Sequence, residues 1–227
     1  MAATPGDRMI AELVLELRAA GLVVSRIDLG GGIGVRYRNE HLLLEPASYA
    51  GLIAEIFGSL GLSLALEPGR ILSATAGVLV SQVVYVRNNS TKRFVVVDAA
   101  MNDLLRPALY DAWHDIVPVQ LPPARASLAP ADVVGPVCET GDTFAVDRDL
   151  PPLAEGDLIA FTAAGAYGAV MSSTYNSRLL VPEVLVAGDR FAVIRARPSY
   201  DALLSLDSIP DWLSDVPEEP VRKRGAA

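Results

Sequence analysis

Cysteine and histidine are scarce in this sequence, and their scarcity excludes several kinds of site. The 227 residues contain one cysteine, Cys138, so they can form no intrachain disulfide and include no paired-thiol metal motif. The two histidines, His41 and His114, lie far apart in the sequence and match no zinc-binding spacing. The residues therefore predict no metal centre.

Positive charge and long apolar runs are also missing. The formal net charge of −8 argues against a nucleic-acid backbone as the main partner, because contacts to phosphates require a basic face. The basic residues 222–224 are more typical of a solvated tail. No apolar run approaches the ~18 residues of a membrane span, and acidic residues stand where a signal peptide would be apolar. We expect a soluble cytoplasmic protein that binds neither nucleic acid nor membrane.

Hydrophobic residues make up 51% of the sequence, which is enough for a substantial core. In the first part, the hydrophobic pattern alternates between two periods. Residues 9–20 have the period of an amphipathic helix that ends before Gly21, and residues 22–29 resemble a buried strand. A second helix is predicted over residues 46–60 and a second strand over 62–66. This spacing is typical of βα units in a parallel sheet or barrel.

Both predicted strands end in loops that contain glycine. The first loop carries Gly30, Gly31 and Gly32, and the second is EPGR, Glu67 to Arg70. Without Cβ atoms, glycines let backbone N–H groups approach an anion such as phosphate, and this end of the strands is the functional end in βα folds. No GxGxxG or P-loop register fits, so the residues alone favour a flexible turn and leave a phosphate site open.

The pattern changes near residue 77. Residues 77–89 and 92–100 are predicted to be paired strands around an Asn-Asn-Ser turn. Short strand-like runs follow at residues 132–137, 143–146, 158–162, 184–186 and 191–195. We therefore divide the chain into residues 1–76, with βα units, and residues 77–227, a mainly antiparallel β domain.

Six motifs, in this order, resemble the signature of the diaminopimelate decarboxylases, which are alanine-racemase-like, fold-type III enzymes that use pyridoxal 5'-phosphate (PLP). The motifs are DLGGGIG (28–34), EPGR (67–70), VDAAMNDLLRPALYDAWH (97–114), GPVCETGD (135–142), GAYG (165–168) and SSTYNSR (172–178). The resemblance implies a β/α (TIM-type) barrel followed by a β domain. It also implies a lyase of lysine biosynthesis that converts meso-2,6-diaminopimelate to L-lysine and CO2.

The resemblance also implies roles for individual residues. Glu67 would lie beside the pyridine nitrogen, and Arg70 would contact the phosphate and a substrate carboxylate. For each of these residues a purely structural role stays open from the sequence alone. The implied cofactor-binding residues are Gly30, Gly31, Gly32, Glu67, Gly69, Arg70 and Tyr167, and the implied substrate-binding residues are Arg70, Arg106, Tyr110, Glu139 and Tyr167. Arg106 and Tyr110 are four residues apart, so they can share one helical face.

Cys138 and Glu139 resemble a Cys-Glu pair that enters the active site of the neighbouring subunit. There the cysteine would be the catalytic proton donor, and the glutamate would bind the distal amino group of the substrate. These roles imply a homodimer with shared active sites. From the residues alone, an inert buried cysteine stays an equal alternative.

Two features depart from the family pattern. Leu179 stands where the family usually has proline, a change we expect to be mild. The family's barrel also carries a lysine that forms a Schiff base with PLP and a histidine that stacks on the ring. The only lysines here are Lys92, in a polar turn, and Lys223, in the tail, and neither is typical of a buried nucleophile.

We therefore expect the C-terminal portion of a diaminopimelate decarboxylase, inactive alone. One alternative is a non-catalytic paralogue or a subunit of a split enzyme. Another is a related PLP decarboxylase that acts on ornithine, arginine or carboxynorspermidine. The CETGD motif, together with Arg106 and Tyr110, favours a substrate with a second carboxylate.

Overall fold

The computed structural model describes residues 5–38, 45–123 and 125–214. His41, Lys223 and the basic residues 222–224 lie outside these ranges. The chain divides into two compact units, Met1–Ser172 and Ser173–Ala227. The division of function between residues 1–76 and 77–227 stays a prediction.

The first unit begins with the predicted order of helices and strands. Helix α1 spans Pro5–Ala19, strand β1 Arg26–Asp28, helix α2 Pro46–Phe57, strand β2 Ser63–Ala65 and helix α3 Gly69–Ser73. Gly21, with φ of 81°, follows α1, and a 3-10 turn follows α2. Strands β1 and β2 pair in parallel, with Ile27 opposite Leu64. The predicted order of helix, strand, helix and strand is confirmed, and so is the parallel pairing.

The prediction of a long buried strand over residues 22–29 is wrong. Only three of these residues are in β1, and Val23 is 93% exposed. Within the described residues β1 pairs only with β2, so the outer edges of this two-stranded sheet have no strand paired to them there. Helix α1 buries Val14 but leaves Ile10 and Leu13 exposed, so much of its predicted apolar face is not covered by the described residues. The described residues contain these βα units but no barrel.

The main sheet of the first unit has six strands in the order β5-β8-β3-β4-β6-β7. The strands are β3 Leu79–Asn88, β4 Arg93–Val97, β5 Ile116–Pro118, β6 Ala129–Val134, β7 Thr143–Leu150 and β8 Leu158–Phe161. The predicted hairpin of β3 and β4 is confirmed. Strand β6 pairs with β4 in parallel, whereas the other four pairings are antiparallel, so the sheet is mixed.

The buried side chains of this sheet form one hydrophobic core, and Leu104, next to the start of a short helix, is part of it. Side chains alternate along β3, where Ser81 and Val83 are buried between exposed neighbours. Phe144 and Phe161 pack with ring centroids 4.5 Å apart. Leu104 is 1% exposed in the same core, and it closely precedes the short helix α4, Arg106–Tyr110. The packing of Leu104 therefore fixes the start of α4 on the sheet.

The second unit contains a hairpin and two short helices. Strand β9 spans Glu183–Ala187, β10 Arg190–Arg195, helix α5 Tyr200–Leu204 and helix α6 Asp211–Ser214. Arg195 and Glu183 form an ion pair of 2.7 Å across the hairpin. Across the described ranges of the chain, no helix combines the length and the hydropathy needed to cross a bilayer.

Candidate active site

The two glycine-bearing loops meet at the carboxyl ends of β1 and β2. The Glu67 N–H donates a hydrogen bond of 2.8 Å to the Gly30 carbonyl oxygen. Gly30 and Gly32 have φ of 68° and 84°, in the region that favours glycine. A Cβ atom on Gly31 would collide with the Glu67 carbonyl oxygen. This close approach is possible only because residue 31 is glycine.

The other side of these loops is open. A Cβ atom on Gly30, Gly32 or Gly69 would meet no heavy atom within 4 Å. The Gly30 N–H donates to Asp28 Oδ1 at 2.8 Å, and the Gly69 N–H donates to the Glu67 carbonyl oxygen at 2.9 Å. The backbone donors that can meet a phosphate here are therefore those of Gly31 and Gly32, flanked by exposed Glu67 and half-buried Arg70. A phosphate needs N–H donors and a cation, and a pyridinium nitrogen needs a carboxylate. The residues present fit both ends of PLP.

The GAYG loop packs on the segment that follows EPGR. The Gly165 N–H donates to the Ala74 carbonyl oxygen at 3.0 Å, and a Cβ atom on Gly165 would collide with the Ser73 carbonyl oxygen. Tyr167 follows with φ of 58°, and its side chain remains exposed. A tyrosine in this left-handed region is uncommon, and such strain is concentrated at functional sites.

A small core joins the three motif segments. Val35 follows the glycine loop, Ala74 follows EPGR and Ala166 lies within GAYG, and these three side chains are buried together. Tyr37 and Ile71 pack against them. Segments that are distant in the sequence thus share one small core next to the glycine loop.

Arg106 lies at the start of α4 and is 5% exposed. Its Nε donates to the Tyr110 hydroxyl at 3.3 Å, which confirms that the two residues share one helical face. Its Nη1 donates to the Tyr37 hydroxyl at 3.1 Å and to His114 Nε2 at 3.2 Å. Through Tyr37, Arg106 is therefore connected to the core of the three loops. Among the described residues, no carboxylate forms an ion pair with Arg106.

His114 is buried beside Arg106. Its Nδ1 lies 2.8 Å from the Thr162 carbonyl oxygen, which can only accept, so Nδ1 carries the proton. Burial lowers the pKa of His114 below its ordinary value, and the charges of Arg106 and Arg148 lower it further, against the opposing effect of the Thr162 bond. The imidazole is therefore neutral, with a free electron pair on Nε2.

The GPVCETGD loop is fixed by a buried carboxylate. Asp142 accepts hydrogen bonds of 2.7 Å from the backbone N–H groups of Met101 and Val137. Cys138 and Glu139 follow Val137 and are exposed. The exposed thiol contradicts the alternative of an inert buried cysteine. The later part of this loop lines a cleft of ≈ 550 Å³ together with α4.

Lys92 lies in the turn between β3 and β4, as the sequence predicted. Its Nζ donates to Asp132 Oδ2 at 2.6 Å, and this hydrogen bond raises the pKa of Lys92. Asp132 is buried, and it also accepts from the Asp147 N–H at 2.9 Å. The lysine is therefore engaged in a structural ion pair.

The structure groups most of the predicted site residues. Glu67, Arg70 and Tyr167 lie on loops with a common core, and Arg106 and Tyr110 are joined to that core through Tyr37. Cys138 and Glu139 lie on a separate loop. The sequence reasoning missed Tyr37, Asp142 and the contact of His114 with Arg106. Only Asp142 had a local signal, because it ends the TGD turn.

The chain is similar to known proteins over most of its length. Residues 15–165 match the family described as "Pyridoxal-dependent decarboxylase, C-terminal sheet domain". The diaminopimelate decarboxylase of Zymomonas mobilis is 46% identical over 207 residues, which cover 90% of this chain and 48% of that protein. That of Pseudomonas aeruginosa is 48% identical over 197 residues, 87% of this chain and 46% of that protein.

Solved structures show the same similarity. A Helicobacter pylori diaminopimelate decarboxylase complexed with L-lysine superposes with a TM-score of 0.81 at 44% identity, covering 88% of this chain and 49% of that one. The diaminopimelate decarboxylase of M. jannaschii in co-complex with L-lysine has a TM-score of 0.86 at 32% identity, and the match covers 91% of this chain and 48% of that one. The chain thus spans about half the length of the relatives it matches.

Proposed function

We infer, from the premise that this chain belongs to the family of pyridoxal-dependent decarboxylases, that it carries the substrate-recognition part of a diaminopimelate decarboxylase. The proposed reaction is the PLP-dependent decarboxylation of meso-2,6-diaminopimelate to L-lysine and CO2. One observation carries the choice of substrate. Arg106 is buried and has no carboxylate partner among the described residues, beside the core that joins the glycine, EPGR and GAYG loops.

The open glycine loop supports the binding of PLP. When bound, PLP acts as an electron sink for the bond that breaks at the α-carbon. The N–H groups of Gly31 and Gly32 and the guanidinium of Arg70 would bind the phosphate, while Gly30, whose N–H donates to Asp28 Oδ1, would shape the loop around it. The Glu67 carboxylate would hold a proton on the pyridine nitrogen. Tyr167, exposed next to the same core, would contact both PLP and substrate.

Arg106 would bind the carboxylate that the reaction leaves intact. A buried charge without a counter-ion is costly, and a substrate carboxylate would remove much of that cost. Diaminopimelate carries such a second carboxylate, whereas ornithine and arginine do not. The relatives from H. pylori and M. jannaschii are described as complexes with L-lysine, which is the expected product.

Cys138 and Glu139 would complete the site of a partner subunit. Both are exposed on a loop fixed by Asp142, so they are accessible to a second copy of the chain. Cys138 would hold, on Sγ, the proton that the product α-carbon receives, and Glu139 would bind the distal amino group. This arrangement requires a homodimer. We further propose that residues 1–76 form the last βα units of a β/α barrel.

The test joins this chain to the N-terminal half of the Pseudomonas aeruginosa relative as one polypeptide. CO2 release with PLP is measured for meso-diaminopimelate, ornithine and arginine, with the complete relative as control. We expect turnover of diaminopimelate only, and a large rise in KM for Arg106→Gln. Equal turnover of ornithine or arginine would refute the proposed substrate. A folded, PLP-loaded polypeptide without turnover would support a non-catalytic protein.

A further inference from the structure

The hydrogen bonds of Arg106 divide its guanidinium into a protein-facing part and a free end. A guanidinium has five N–H donors and no acceptor. Nε gives its single proton to Tyr110, and Nη1 gives its two protons to Tyr37 and His114. Nη2 forms no hydrogen bond with any described residue. Both protons of Nη2 are therefore available to a ligand.

The contact with His114 depends on its tautomer. Because Thr162 takes the Nδ1 proton, Nε2 presents an electron pair toward Arg106 Nη1. The opposite tautomer would place two N–H donors against each other and leave the Thr162 carbonyl without this bond. Burial of His114 at 1% exposure prevents water from replacing either partner. The imidazole is thus held as an acceptor of fixed direction.

Tyr37 holds the same nitrogen from another side. Its hydroxyl accepts from Nη1, and its ring lies 5.9 Å from the His114 ring, edge to face at 75°. Tyr37 also packs on the core formed by Val35, Ala74 and Ala166. The direction of Arg106 is therefore set relative to the loops that would hold the cofactor.

We propose that His114 and Tyr37 are positioning residues that engage Nη1 of Arg106, so that Nη2 is the edge that binds the substrate carboxylate. This inference rests on the proposed function, since it assigns Arg106 to the substrate. The Tyr110 hydroxyl accepts from Nε and donates its proton to Met171 Sδ at 3.8 Å. A thioether sulfur is a weak acceptor, so a substrate carboxylate oxygen can replace it as the acceptor of this proton. The carboxylate would bind to Nη2 and the Tyr110 hydroxyl, not to the Nη1–Nη2 fork.

Two substitutions of His114 separate the roles of its nitrogens. His114→Asn places an amide N–H near the Nδ1 position, which preserves the bond to Thr162, and removes the acceptor for Arg106. His114→Gln places an amide oxygen near the Nε2 position, which preserves that acceptor, and gives up the bond to Thr162. Tyr37→Phe removes the hydroxyl, which is the other hydrogen-bond acceptor of Arg106 Nη1, and keeps the ring. All three are made in the polypeptide joined to the relative's N-terminal half.

We expect His114→Asn and Tyr37→Phe each to raise KM for diaminopimelate roughly tenfold, as for loss of a hydrogen bond to a charged group, with kcat changed less than about threefold. His114→Gln should restore KM to within about threefold of the unsubstituted enzyme. Unchanged KM in His114→Asn, or equal KM in the Asn and Gln variants, would overturn the positioning role. If Arg106→Gln itself leaves KM unchanged, the proposed function fails instead.

A second measurement needs no activity. Long-range ¹H–¹⁵N correlation spectra of the 227-residue chain report the tautomer of each histidine, and the loss of signals in His114→Asn assigns one set of them. We expect the protonated nitrogen of His114 to be Nδ1. In Arg106→Gln the ¹⁵N shift of Nε2 should move, because its donor is lost. An Nε2-protonated ring would contradict the proposal whatever the kinetics show.

Discussion

The backbone N–H of Glu67 donates to the carbonyl oxygen of Gly30 at 2.8 Å, and this bond joins the loops that follow the two parallel strands. The bond brings an acidic side chain next to a glycine loop with a positive φ at Gly30 and Gly32. The two loops can lie this close only because residue 31 has no side chain, since a Cβ atom there would collide with the Glu67 carbonyl oxygen.

Gly31→Ala should separate these loops. Its Cβ would collide with the Glu67 carbonyl oxygen, a backbone atom in the loop after β2, so the loop itself would have to shift. We expect the free energy of unfolding, measured by urea denaturation of the chain, to fall by about 1–3 kcal/mol. The control is Gly34→Ala, where a Cβ meets no heavy atom within 4 Å, and we expect a change within about 0.5 kcal/mol. Equal effects of the two substitutions would contradict the close approach.

The stability of the chain should depend on the protonation of His114. Folding lowers the pKa of His114 below its ordinary value of 6.5, chiefly through burial. As the pH falls through this value, the unfolded chain binds a proton that the folded chain does not, so the free energy of unfolding decreases. The free energy of unfolding is therefore not reduced by His114 above about pH 6.5. It decreases as the pH falls from 6.5 toward the lowered pKa of the folded chain, and below that pKa His114 causes no further decrease.

Urea denaturation between pH 8 and about pH 5 measures this dependence. His114→Asn should flatten the part of the curve that belongs to His114, and His41, present in both chains, serves as the internal control. Curves of the same slope with and without His114 would mean that its folded-state pKa is not lowered.

Asp142→Asn should loosen the loop that carries Cys138 and Glu139. The carboxylate accepts two backbone N–H groups, but an amide has only one oxygen, and its NH2 would face the second N–H. We expect a loss of about 1–3 kcal/mol in the free energy of unfolding and faster hydrogen exchange at Met101 and Val137. Asp149→Asn, on an exposed carboxylate of β7, is the control and should leave both measurements nearly unchanged.

Lys92 should react poorly with PLP. The hydrogen bond to Asp132 raises the pKa of the amine and keeps it protonated, and a protonated amine is not a nucleophile. After borohydride reduction, peptide mapping of the PLP-treated chain should find little label on Lys92, and Asp132→Asn should increase it. Robust turnover by the chain alone, with label on Lys92, would instead identify Lys92 as the catalytic lysine.

The sequence predicted what local patterns determine and missed what distant contacts determine. The i, i+4 spacing placed Arg106 and Tyr110 on one face, and α4 confirms it. His114 continues that spacing, but α4 ends at Tyr110 and the next residue, Asp111, is left-handed, so helical periodicity does not explain the contact of His114 with Arg106. Tyr37 contacts Arg106 although it lies 69 residues away in the sequence, because it packs on the core shared by the glycine, EPGR and GAYG loops. Strand β5, with three residues including proline, had too little pattern to predict.

The last prediction tests whether two subunits share each site. Cys138→Ala and Arg106→Ala are made separately in the polypeptide joined to the relative's N-terminal half, and each variant alone should have little activity. If Cys138 serves the partner's site, a mixed dimer has one site with both residues intact and one with neither. Equal mixing then gives half mixed dimers, so about a quarter of the unsubstituted activity should return.

The double variant in one polypeptide, mixed with the unsubstituted polypeptide, is the matched control for this experiment. Its mixed dimers have one lesion in each site, because the two lesions belong to different sites. They should therefore contribute almost no activity, and equal mixing should leave about a quarter of the activity, from unsubstituted dimers alone. If both residues served the same chain's site, the first mixture would recover nothing and this one would keep about half. The contrast between the two mixtures decides between a shared site and a site within one chain.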